Sequence, residues 1–193
     1  MIDSLPARAR RWQEIKLQAA LITPLIHVKG YAAPETKAAA ERGRLLVEEA
    51  ERLGEPIEDR LVLLSILYGA VATNIVDFDG DLMLGLAAQL LAFAEEEGST
   101  GSLLTAHRLM GICLLYTGHF VESQPHLQRT LALYDPAEHR ALATRFGQDA
   151  RAHTLCYRSL AFWSLGFPEA ALADASDGLI LGGFVGAIVV TLR

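Results

Sequence analysis

Residues Leu104 to Pro136 read LTAHRLMGICLLYTGHFVESQPHLQRTLALYDP. Within this stretch Gly111, Gly118, Phe120, Ser123, Leu127, Thr130 and Leu131 fall seven, two, three, four, three and one residues apart. A small residue inside one apolar helix lets a second helix approach, a glycine followed by an aromatic makes the turn, and small and large apolar residues interleave across the pair. The spacing therefore predicts an antiparallel hairpin, Ser102 to Thr117 followed by Phe120 to Leu133, with Gly118 at the turn.

The same design recurs on both sides. Arg8 to Val28 carries a helical stripe of Trp12, Ile15, Leu17, Ala19, Ala20 and Ile22, with Pro24 expected to kink or shorten it and Gly30 to end it. Pro34 stands where a first-turn proline is welcome, and Ala38 to Leu53 alternates Ala and Leu with Glu and Arg before stopping at Gly54. Glu58 to Val76 and Asp81 to Glu97 form a second pair around Gly80, and His153 to Leu165 and Pro168 to Leu179 a fourth around Gly166. This is the pattern of tetratricopeptide repeats. The expected fold is all-α, a right-handed superhelix of about four antiparallel helix pairs whose first helices line the concave side. It is read as a single domain over 1–193, with hairpins at about 8–54, 57–98, 102–134 and 152–180, a polar insertion at 135–151 and an apolar tail at 179–193.

At 193 residues, 51% apolar and 21% charged, the chain has the composition of packed helices and could bury roughly 70% of its unfolded surface in one core. A net charge of −6 and a pI near 5.5 give no general attraction to nucleic acid. Arg8, Arg10, Arg11 and Lys16 make a small basic stripe, read as the solvated face of a helix. Cys113 and Cys156 sit among apolar residues as buried free thiols, which suits a reducing cytosol, and MIDSLPARARRW has no apolar core of signal-peptide length. Leu179 to Leu192 is apolar, but it contains Gly182, Gly183 and Gly186 and falls short of the ~20 residues of a membrane span. Without a polar capping face, this tail is expected to be poorly ordered or loosely laid over the fourth hairpin, and to favour self-association.

None of the residue constellations carries a recognisable chemistry. His119, His126 and His139 lack the i, i+4 partner, the H-E-x-x-H or the cysteine pair of a metal site, and read as surface or turn histidines. Asp77, Asp79 and Asp81 are only faintly similar to a calcium loop, since no glutamate stands at position twelve, and a helix N-cap by Asp79 or Asp81 explains them better. There is no G-x-S-x-G elbow and no G-x-x-x-x-G-K-[ST] loop. Tyr68, Phe93, Tyr116, Phe120, Tyr157, Phe162 and Trp163 fall at helical spacings that core packing explains. The insertion is the segment a minimal repeat does not need. Its His139, Arg140, Arg145, Gln148 and Asp149 read as an internal hydrogen-bonding network, or else as a contact for a partner.

The stretches EIKLQAALITPLIHVKGYAAPET, HLQRTLALYDPAEHRALATRFGQDA and LAFWSLGFPEAAL, within about Gln13 to Ala175, resemble the C-terminal helical-repeat region of bacterial multidomain adenylate/guanylate cyclase-like signalling proteins. Tyr134-Asp135-Pro136, His139-Arg140 and Gly147-Gln148-Asp149 are the most specific part, although Phe146 stands where that family usually has tyrosine and Ala150 where it usually has proline. The resemblance implies a tetratricopeptide-like module of a cyclase/ATPase system, here a fragment or stand-alone remnant without the catalytic domains. The expectation is a non-enzymatic cytoplasmic scaffold that takes no cofactor or metal, binds a protein partner or the other domains of a signalling protein, and binds neither nucleic acid nor membrane. In the usual groove Arg108, Ile112, Leu115 and Tyr116 of the third hairpin and His153, Leu160 and Trp163 of the fourth would face that partner. The alternative is a regulatory segment of a helical-repeat transcription activator.

Overall fold

A computed structural model describes residues 6–55, 57–146 and 148–182. Those residues form only α-helices and their connections: α1 (Ala7–Lys29), α2 (Pro34–Arg52), α3 (Arg60–Ile75), α4 (Gly80–Glu97), α5 (Thr100–Tyr116), α6 (Phe120–Leu133), α7 (Pro136–Phe146), α8 (Ala150–Ser164) and α9 (Pro168–Gly182). The chain divides into two compact units, Met1–Leu90 and Leu91–Arg193. No helix among the described residues is long and apolar enough to cross a membrane.

In the first unit α1 packs on α2, and α3 packs on both. Ile15, Ile22 and Ile26 recur at helical spacing on one face of α1 and are buried, as are Leu46 and Val47 of α2 and Leu64, Ile66 and Val71 of α3. Small residues set the helix separation: a Cβ on Gly69 would lie 2.7 Å from Ile22 Cδ1. Helix α1 does not stop at Pro24 but continues to Lys29. The expected turn at Gly80 is also corrected. Gly80 is the first residue of α4, and Phe78 takes the left-handed backbone, with φ 56°. Asp79 is the cap, its Oδ1 accepting from the Leu82 N–H at 3.1 Å, while Asp77 pairs with Lys37. Within the basic stripe Arg8, Arg10 and Lys16 are exposed as expected, but Arg11 reaches inward to Glu49 and Glu55.

The second unit is built on α5, α6, α8 and α9. Helix α5 packs on α6, α8 on both, and α9 on α8. The spacing from Gly111 to Leu127 has its physical basis here. A Cβ on Gly111 would lie 2.7 Å from both Cγ and Cδ2 of Leu127, a residue with no exposed surface, and the Ser123 hydroxyl donates to the Gly111 carbonyl at 2.7 Å. Gly118, with φ 83°, makes the turn. Helices α5 and α8 start earlier than expected, because Ser99 Oγ accepts from Ser102 N and Asp149 Oδ1 from Ala152 N. Cys113 and Cys156 are buried as expected, and burial pushes the Cys113 thiol up to about 12. Helix α9 carries Leu179 and Ile180, both exposed, as far as Gly182. The rest of the apolar tail, from 183 to 193, lies outside the described residues.

Candidate functional site

The polar insertion contains a helix, α7, over Pro136–Phe146. Asp135 begins it by accepting the Ala137 N–H on Oδ1 at 2.8 Å. The Asp135 N–H in turn donates to His139 Nδ1 at 2.9 Å, so the proton of the buried His139 ring sits on Nε2, 3.1 Å from Thr100 Oγ1 at the start of α5. Tyr134 donates from its hydroxyl to Asp149 Oδ2 at 2.6 Å, and the other oxygen of Asp149 caps α8. One histidine and one aspartate thus fasten the ends of α5, α6, α7 and α8. Burial, reinforced by the bond to Asp149, pushes the Tyr134 phenol up to about 12, which keeps it a donor throughout the neutral range. Of the other polar residues, Arg140 is exposed, and Arg145 and Gln148 are half-buried.

Because Asp149 is both cap and acceptor, Asp149→Ala removes two bonds and leaves a half-buried phenol without its acceptor. We expect it to destabilise the second unit by about 2–3 kcal/mol, near the low end of the sum of a cap, worth roughly 1 kcal/mol, and a hydrogen bond to a charged group, worth about 1.5–3, because the half-buried phenol keeps some access to water. Urea denaturation checks it. A loss below about 0.5 kcal/mol would show that the network does not hold the insertion.

The seven groove residues do not share one surface. Arg108, Ile112, Leu115 and His153 are buried, which corrects the expectation that they face a partner. Arg108, 1% exposed on α5, reaches across to α8, where its Nη1 lies 3.5 Å from His153 Nδ1. Burial, aided by that cation, holds His153 well below the ordinary histidine value. Tyr116 and Leu160 are half-buried and Trp163 is 56% exposed. Tyr116 packs edge-on against Tyr157, with ring centroids 5.9 Å apart. Tyr157, Leu160 and Trp163 follow at three-residue steps along α8, a spacing that keeps them on neighbouring parts of one helix face.

The histidines make contacts that no local motif announces. His119 is exposed beside Thr117, and His126 pairs with His107 of α5 across the hairpin, at a Nδ1–Nδ1 distance of 3.0 Å. No group of three or more His, Cys, Asp or Glu among the described residues could hold a metal ion. No family model, curated protein or solved structure matches the chain.

Proposed function

We propose that the chain is a protein-interaction scaffold of tetratricopeptide-like hairpins, its four helix pairs forming a right-handed superhelix that serves a bacterial cyclase/ATPase signalling system in the cytoplasm. The packing of α5 on α6, with Leu127 seated on Gly111, is the observation that carries this reading. It gives the repeat spacing a steric cause. The partner surface is the strip of Tyr116, Leu160 and Trp163, because these keep open area where the other four groove residues are buried. Exposed aromatic side chains on a rigid helix are effective anchors, since they bury much area while losing little conformational freedom.

Reading the neighbouring reading frames and measuring binding to the cyclase or ATPase modules encoded there tests the proposal. We expect binding by the full chain and at least a tenfold loss with Trp163→Ala, about 1.4 kcal/mol. Retained binding in that variant would remove the strip from the reading. Absence of binding to either module, or nucleotide turnover by the purified chain, would overturn the scaffold assignment.

A further inference from the structure

His107 and His126 face one another through their Nδ1 atoms, 3.0 Å apart, with ring centroids separated by 5.1 Å and planes inclined at 45°. Both are half-buried. At this separation one ring must carry its proton on Nδ1 and the other must offer a lone pair there, so the uncharged pair consists of two opposite tautomers. A single added proton keeps the bond, because the charged ring still donates to its partner. A second added proton destroys it. Two N–H groups would then point at each other and two cations would stand about 5 Å apart.

The position of the pair connects that event to the packing. His107 is one helical turn before Gly111, and His126 is next in sequence to Leu127, the side chain seated on Gly111. Leu127 has no exposed surface and is seated directly on Gly111, so a change in the separation of α5 and α6 beside the two rings reaches that contact first. We propose that His107 and His126 form a pH-sensitive latch on the α5–α6 hairpin, closed with at most one added proton and opened by the second, which shifts Leu127 off Gly111.

The charged groups around the latch set where it works. Glu95 of α4 favours the protonated form of both rings, and Arg129 of α6 opposes protonation of His107. Burial is the largest effect on each and moves both below the ordinary histidine value of about 6.5. The closed form therefore holds at neutral pH, and the second step belongs to the acidic side of that value.

Imidazole and amide nuclear magnetic resonance on the full chain, titrated downward from neutral pH, tests the device. We expect two steps separated by about one pH unit or more, since coupled groups titrate as a pair, with the Gly111 and Leu127 amide signals moving only in the second. Glutamine at either position cannot take up the second proton, so His107→Gln and His126→Gln should each leave one step and abolish that movement. Titration of both rings in one common step, or an unchanged Gly111 and Leu127 response in both variants, would overturn the proposal. Should neither variant fold, the step pattern of the unmodified chain decides alone.

Discussion

Arg158→Ala is expected to cost the second unit roughly 3–5 kcal/mol, the range for removing one partner of a buried ion pair. Arg158 of α8 meets Asp174 of α9 in the two-pronged geometry that suits a guanidinium and a carboxylate, Nε to Oδ2 at 2.6 Å and Nη2 to Oδ1 at 2.8 Å. Their side chains are 15% and 10% exposed. Its third prong donates to Gln128 of α6, and its guanidinium lies over the Phe162 ring at 5.4 Å. Truncation removes all of this at once and leaves a carboxylate with little access to water. The loss should therefore exceed that of an exposed pair such as Arg42–Glu14, which is worth about 0–1 kcal/mol. Chemical denaturation of Arg158→Ala, Asp174→Ala and the double variant resolves the coupling. Strictly additive losses would show that the two side chains do not depend on each other.

Arg158 and Asp174 also show why part of the fold is legible in the sequence and part is not. Local signals are readable. Gly30, Gly54, Gly118 and Gly166, expected as stops or turns, all have positive φ, because there the backbone conformation itself selects the residue. Gly80 misleads for the complementary reason: Phe78 takes the left-handed position two residues earlier, where residue preference gives no hint of it. Arg158 and Asp174 stand 16 residues apart on different helices, and His107 and His126 stand 19 apart, so no local period links either pair. The insertion shows its polarity in the sequence but not its partners, since Thr100, which faces His139 Nε2, stands 39 residues away at the start of α5. Residue preference places Arg108 on the surface, because arginine is rarely enclosed. It is instead buried, with His153 of α8 at 3.5 Å from its Nη1.

The second large effect is expected at Gly111, whose lack of a side chain lets α6 approach α5. In Gly111→Val the Cβ alone would fall 2.7 Å from two atoms of Leu127 and 3.3 Å from its backbone nitrogen. The side chain of Leu127 is fully enclosed, so it has no rotamer to retreat to, and the backbone contact can be relieved only by moving the helix. Overpacking of this kind costs typically 1–3 kcal/mol, and a branched residue against main chain belongs at the upper end, about 3 kcal/mol. The better helix propensity of any side chain over glycine offsets at most about 1 kcal/mol of it. Gly85 of α4 supplies the contrast: a Cβ there meets nothing within 4 Å, so Gly85→Ala should stabilise the chain by up to about 1 kcal/mol. Urea denaturation of the two variants beside the unmodified chain measures both signs. If Gly111→Val unfolds at the same urea concentration as Gly85→Ala, helix propensity and not close approach explains the glycine, and the steric basis of the repeat spacing is lost.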